Sequence, residues 1–414
     1  MNALSEPNRA ALSEGPALRI VYVTETWPPE VNGVATTAAR FVEGLALRGH
    51  RLLLVRPRQA DVAPGAAHVL PPGIEERLTA GSPLPFYAAL RMGWARASAL
   101  ARDWRDWQPD LVHVATEGPL GWSALAAARR LGVPVTSDFR TNFHAYSRHY
   151  RVGWLQGPVL GYLRAFHRRT ACTMVPTEAL RRELAGQGFE GLSVVARGVD
   201  TRLFDPARRS AALRASWGAH PDDPVLLCVG RLAPEKNLMT LVDAYRSLQA
   251  RHPRARLVLV GDGPQRAALQ AACPQAVFAG PRRGEDLAAH YASADVFAFP
   301  SLTETYGNVT PEAMASGLAL VAFDHAAASQ LVRHGDNGLL AAPGDAEAFR
   351  LAIDRLLAQP DLRRAVGREA RRSMQSQGWD EVVARFEGLL AQQVRRAAGL
   401  DARTGPDAAL PAGL

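Results

Sequence analysis

The chain has 414 residues, about half of them hydrophobic, and carries a net charge of +8. That length exceeds what one core supports, so two domains are expected. No run reaches the roughly 20 apolar residues of a membrane span, and residues 1–17 lack the cationic start and apolar stretch of a secretion signal, so a cytoplasmic location is expected. The positive charge favours anionic partners, but the arginines are spread along the chain rather than gathered in a nucleic-acid-binding arm. Cys172, Cys228 and Cys273 are odd in number and show no metal-ligand spacing, which reads as reduced core thiols.

Residues 19–25 (RIVYVTE) are a β-branched run. Val34, Ala38, Phe41, Val42 and Leu45 then recur at helical spacing before Gly49, and residues 51–55 (RLLLV) supply a second strand, which makes a βαβ unit. Residues 83–107 put Phe86, Leu90 and Trp94 on one face with arginines around them, and read as a surface helix packed on the sheet, with a membrane-surface helix as the alternative. Strand candidates follow at 111–116, 133–139, 172–177 and 193–200. A polar, proline-marked junction runs from Asp205 to Pro224, and a second series of strands, VLLCVGR through NGLLAAP, comes after it. Two doubly wound α/β domains result, at 18–205 and 222–376, with a helix at 377–396 expected to cross back to the first domain. Residues 1–17 and 397–414 are expected to be disordered.

In open α/β sheets ligands lie beyond the carboxyl ends of strands, which directs attention to three loops. In TETWPPEVNGVATT (24–37), Gly33 permits close approach of a ligand to the backbone ahead of a helix. In GRLAPEKNL (230–238), Arg231 and Lys236 follow a strand and precede a helix. Lys236 is the only lysine in the chain, and an ammonium on a flexible stem can follow one oxygen as it gains charge, whereas a guanidinium clamps. In SLTETYGNVTPEAMASG (301–317), Glu304 and Glu312 flank the amides of Gly307, Asn308 and Val309, an order suited to a polyol–phosphate–polyol ligand. Gly261 and Gly263 in VGDGPQR do not complete a dinucleotide fingerprint, because Arg266 replaces the third glycine and Pro264 intrudes.

These stretches, together with VARGVDTRLFDP and HGDNGLL, resemble the retaining glycosyltransferases of family 4 from residue 19 to about 396, with Glu304 and Glu312 matching the E-x7-E signature. The resemblance implies a GT-B fold, two Rossmann-like domains facing across a cleft, with the acceptor side in the first and the nucleotide sugar in the second. It implies that Gly33 approaches the donor phosphates, that Arg231 and Lys236 bind the diphosphate, and that Glu304 contacts the donor sugar. Gly307, Asn308 and Val309 would give amides to the phosphate, and Glu312 would hold the ribose hydroxyls. Many relatives carry a histidine after the strand at 133–139, where this chain has Arg140; Asp138, Arg140 and His144 are therefore read as sugar or acceptor contacts.

No Asp-x-Asp follows a strand end, and no metal or other cofactor is expected. The branch most resembled uses GDP-mannose and neighbours glycolipid-forming enzymes, with UDP-glucose or another UDP-sugar as the alternative donor. Partners are then a nucleotide diphosphate sugar and a lipid, lipid-linked or glycan acceptor, with contact at the inner face of an anionic membrane and no nucleic acid. The alternative of another class is a non-catalytic nucleotide- or nucleic-acid-binding protein.

Overall fold

The computed structural model describes residues 16–30, 33–59, 70–84, 87–140, 156–304 and 306–400. Strands β1 (Arg19–Val23), β2 (Arg51–Pro57), β3 (Ile74–Leu84), β4 (Tyr87–Trp94), β5 (Leu111–Val114), β6 (Val135–Asp138), β7 (Cys172–Val175) and β8 (Leu192–Val194) form an eight-stranded sheet in the order β4-β3-β2-β1-β5-β6-β7-β8. Every neighbouring pair in it is parallel except β3 with β4. A parallel six-stranded sheet follows: β9 (Val225–Val229), β10 (Arg256–Val260), β11 (Val277–Gly280), β12 (Val296–Phe299), β13 (Ala319–Phe323) and β14 (Leu339–Ala341), ordered β11-β10-β9-β12-β13-β14.

Both sheets are doubly wound, and the alternation of side chains along β1 shows why its sequence is apolar at every position. Ile20 and Tyr22 enter a core with Phe41 and Val42, while Val21 and Val23 enter the opposite core with Trp104 and Leu120. Chain order reverses beside β1, which lies between β2 and β5, and beside β9, which lies between β10 and β12. These are the points where loops diverge and leave a crevice.

Residues 83–107 correct the expectation of a single helix. The segment enters β4, antiparallel to β3 from Ala80↔Trp94 onward, and becomes helical only over Ala97–Trp107. A spacing of four, such as Leu90 to Trp94, satisfies a strand's period of two as well as a helix turn, and Gly93 disfavours helix across the middle. Strand β3 (IEERLTAGSPL) has no apolar run and was invisible to that criterion.

The junction at 205–222 is not a free tether. Asp205 caps a short 3₁₀ turn at Pro206–Arg208 and Ser210 caps the helix Ala211–Ser216. From that helix the buried Arg214 donates to the Ser293 carbonyl at 2.8 Å, to Asp295 Oδ2 at 3.0 Å and to the Asp223 carbonyl at 2.6 Å, fastening the junction to the six-stranded unit.

The last helix, Trp379–Ala397, crosses back to the eight-stranded unit, as its apolar spacing requires: Val382, Val383, Phe386 and Leu390 join the core of Ile20, Tyr22 and Phe41. Phe386 stacks on Phe41 with ring centroids 4.1 Å apart, and Gly44 leaves room for Val383. Leu18 N–H donates to His50 Nδ1 at 2.9 Å, so His50 Nε2 carries the proton and donates to Glu387 at 2.8 Å, beside the Arg48–Glu387 ion pair. The three cysteines are buried free thiols. Among the described residues no helix is long and apolar enough to cross a membrane.

Candidate active site

The six-stranded sheet builds its crevice from the loops after β9 and β12, the two strands that meet at its reversal point. After β9 the chain turns at Gly230 and is held by β10's loop: Gly230 N–H donates to the Val260 carbonyl and Leu232 N–H to the Asp262 carbonyl, both at 2.9 Å. Gly261 and Gly263 make that contact available, because a Cβ on either would strike the backbone of Gly230 or Leu232. The VGDG glycines therefore shape the β9 loop, which explains why they fail as a dinucleotide motif.

That loop presents Arg231, then a 3₁₀ turn at Pro234–Lys236, and then the helix Leu238–Leu248. Lys236 lies 5.8 Å from the Phe299 ring centroid and is ion-paired with Glu304, whose Oε1 also accepts from Ser301 Oγ at 2.8 Å. Arg231 is half exposed and pairs with the nearly buried Glu235. Arg231, Lys236, Glu304, Gly307, Asn308 and Val309 line one cavity of about 250 Å³. The structure thus gathers these six candidates from two loops some 70 residues apart in sequence.

Glu312 sits elsewhere, in the first turn of the helix Val309–Ala315, outside the lining of that cavity. Tyr291 donates to its carboxylate at 3.0 Å, and burial pushes the Glu312 carboxyl up to about 7. Gly33 opens the helix Gly33–Leu47 and faces the guanidinium of Arg197, not the cavity; a Cβ there would collide with Arg197. His144 lies outside the described residues.

On the eight-stranded sheet, Asp138 ends β6 and is buried with Arg140 just beyond it. Burial raises the Asp138 carboxyl, but the Arg140 charge and His113 outweigh it and hold the group at about 2. Arg140 Nε donates to Asp138 Oδ2 at 2.8 Å, His113 Nε2 lies 3.5 Å from the same oxygen, and His113 Nδ1 meets Thr136 Oγ1 at 2.9 Å. Both terminal nitrogens of Arg140 are buried without a hydrogen-bond partner among the described residues. Glu25, in the β1 loop, accepts from Gly93 N–H at 2.9 Å and Leu120 N–H at 3.1 Å; burial, reinforced by Glu117, raises its carboxyl to about 7.

Four residues near these groups escape the reading of the sequence. Arg197, in the loop after β8, donates to Asn308 Oδ1 at 3.2 Å, and its carbonyl accepts from Tyr306 OH at 3.1 Å. Ser301 and His325 brace Glu304, the latter 3.4 Å from its backbone N–H. The available signal for Arg197 was an arginine directly after a strand and before Gly-Val-Asp at the crossing between sheets.

The family model described as Glycosyltransferase Family 4 matches residues 31–203, and that described as Glycosyl transferases group 1 matches residues 223–359. The chain is similar to a GDP-mannose-dependent alpha-mannosyltransferase of Mycobacterium tuberculosis, 35% identical over 92% of this chain and 99% of that one. It is also similar to an alpha-monoglucosyldiacylglycerol synthase of Streptococcus pneumoniae, 26% identical over 83% and 80%. Among solved structures, a sucrose-phosphate synthase from Thermosynechococcus elongatus superposes with a TM-score of 0.73 at 22% identity, covering 91% of this chain and 98% of that one. Two Rossmann-like units with a terminal helix crossing back make the GT-B fold, and the chain belongs to glycosyltransferase family 4.

Proposed function

We propose that the protein transfers mannose from GDP-mannose, with retention of configuration and without a metal, to a lipid or lipid-linked acceptor at a membrane face. The observation that carries the donor site is the single cavity shared by Arg231, Lys236, Glu304 and Gly307–Val309 at the reversal point of the six-stranded sheet. Similarity along nearly the whole chain to a mannosyltransferase named for GDP-mannose supports the choice of donor, and similarity to a diacylglycerol glycoside synthase supports a lipid acceptor.

In this reading the donor diphosphate enters the cavity and takes over Lys236 and Arg231 from their carboxylate partners. As the sugar C1–O bond breaks, its electron pair goes to the phosphate oxygen, and the Lys236 ammonium stabilises the charge that develops there. The acceptor hydroxyl oxygen bonds to C1 on the same face and its proton passes to the departing phosphate oxygen, so no separate base is required. Glu304, released from Lys236, is free to accept sugar hydroxyls, and Glu312 would grip the ribose as its carboxyl ionises. Incubation with GDP-mannose, UDP-glucose and other UDP-sugars, with and without EDTA, tests all of this through nucleoside diphosphate release. GDP release that survives EDTA is expected. Turnover with UDP-sugars alone would overturn the donor assignment, and activity abolished by EDTA would overturn metal independence.

A further inference from the structure

Tyr291 lies on the helix Gly284–Ser293 and is fully buried. Its ring is boxed in by Phe204, edge-on with centroids 5.5 Å apart, and by Phe297 at 5.7 Å. Packing on these two rings fixes where the phenol oxygen sits, and it sits 3.0 Å from Glu312 Oε2. A buried phenol brings its hydroxyl to a partner where it can, and a backbone carbonyl is the common one. Tyr245 and Tyr306, also buried, donate to the carbonyls of Ala255 and Arg197, and the buried Tyr22 hydroxyl has no partner among the described residues. Tyr291 differs from all three in donating to an acidic side chain on another helix.

Glu312 is less enclosed than Tyr291 and stands one turn along the helix Val309–Ala315 from Val309, which lines the donor cavity; residues three apart share a face of a helix. The phenol occupies Oε2 and leaves Oε1 without a hydrogen-bond partner among the described residues. No cation pairs with this carboxyl among them either. The titratable groups around it are Tyr291 itself and, in the same core, the Cys228 thiol of β9. Arg371, on the neighbouring helix Pro360–Met374, spends its guanidinium on the Thr201, Phe204 and Ala315 carbonyls and on Asp205. The Tyr291 hydroxyl is therefore the group that stabilises the ionised form: burial pushes the Glu312 carboxyl up, and this bond pulls against that rise.

We propose that Tyr291 is a positioning residue for the donor, whose hydroxyl holds the Glu312 side chain through Oε2 and leaves Oε1 as the acceptor for the ribose hydroxyls of the nucleotide. This rests on the reading of Glu312 as the ribose grip. Tyr291 touches no substrate and acts through Glu312 alone. Removing its hydroxyl keeps the ring between Phe204 and Phe297, so the packing stays, but it frees the carboxyl to turn and keeps it protonated to higher pH. A neutral carboxyl accepts a hydroxyl hydrogen bond more weakly than a carboxylate does. Discrimination in favour of a ribose that carries its hydroxyls thus depends on a phenol outside the site.

The test is calorimetric titration of the full chain with GDP and with 2′,3′-dideoxy-GDP, because the ratio of the two affinities isolates the ribose contact and cancels the ionisation of the phosphates. Wild type should prefer GDP by about tenfold or more at pH 8, as for hydrogen bonds to a charged group. Tyr291→Phe should weaken GDP by about fivefold to tenfold and leave dideoxy-GDP within about twofold. In a Glu312→Gln background the same change should have no further effect, since its route to the ligand is gone. The preference of the wild type should shrink as pH falls through about 7, where Glu312 takes up a proton, and that of Tyr291→Phe should shrink from a higher pH. In a transfer assay, Tyr291→Phe should raise KM for GDP-mannose and change kcat by less than about threefold. Equal losses of GDP and dideoxy-GDP in Tyr291→Phe would show a merely structural role and overturn the proposal. Wild-type GDP affinity in that variant, or a full loss that persists in the Glu312→Gln background, would overturn it as well. A wild type that does not distinguish the two ligands would show that Glu312 does not grip the ribose, and the proposal would fall with that reading, a failure visible before any variant is made.

Discussion

The Lys236 ammonium and the Glu304 carboxylate form an ion pair that joins the loop after β9 to the loop after β12 across the floor of the candidate donor cavity. The pair orients the chain's only lysine and partly shields it, with side chains 18% and 14% exposed. A preformed partner of this kind reduces the reorganisation needed when a phosphate replaces the carboxylate.

Lys236→Ala should lower kcat by about 10²- to 10³-fold, the cost of removing one preorganised donor. Lys236→Arg keeps the charge but cannot place a compact ammonium beside Phe299 and Glu304, and should remain at least about tenfold impaired. Steady-state rates for both variants decide the matter; a wild-type rate for the arginine variant would remove any special role for lysine.

Glu312 makes stability depend on pH. Its carboxyl is raised from 4.5 to about 7 in the folded protein, so the native state holds a proton that the unfolded chain releases. The stabilisation is complete below about 4.5 and is lost as pH rises through about 7. Glu312→Gln keeps an acceptor for Tyr291 and removes this loss, so the variant should gain stability relative to wild type between pH 5 and pH 8, by at most about 3 kcal/mol. Urea unfolding at the two pH values measures it. Glu25, raised for the same reason, leaves a residual slope in both proteins.

Gly33→Ala places a methyl group against the Arg197 guanidinium. The flexible end of that arginine can move aside, so unfolding should shift by less than about 1 kcal/mol, whereas kcat/KM should fall by about tenfold as Arg197 leaves Asn308. A variant with unchanged kcat/KM would show that the close approach is incidental.

Gly261→Ala differs because the obstacle is the Gly230 backbone and the glycine has φ +136. Loss of about 2 kcal/mol or more is expected, together with weaker GDP binding, since the displaced loop carries Arg231 and Lys236. Calorimetric titration of GDP into the folded variant separates the two effects.

Phe386→Ala should lower stability by about 3 to 5 kcal/mol by emptying the space stacked on Phe41. Chemical denaturation followed by near-ultraviolet signal tests this, and the terminal helix should become sensitive to proteolysis before the sheets do.

What the sequence determined by itself was local and periodic. The apolar runs of β1, β2 and β5 to β14, the heptad-like face of Val382, Phe386 and Leu390, and the placement of Arg231, Lys236 and Glu304 directly after strands all follow from side-chain alternation and from the rule that ligands gather at strand ends. The strand pair β3 and β4 was not legible, because the polar and small residues of β3 carry no burial signal and are ordered by pairing with β2, while the apolar spacing of β4, which pairs with β3, fits a helix turn as well as a strand. Tertiary structure alone decided that VGDG supports the β9 loop, that Lys236 is held by Glu304, that Glu312 lies beside Tyr291, and that Arg197 meets Asn308. Each of these joins residues tens to more than a hundred positions apart, and no one-dimensional period encodes such a contact; it exists only once strand order and helix packing have brought the loops to one crevice.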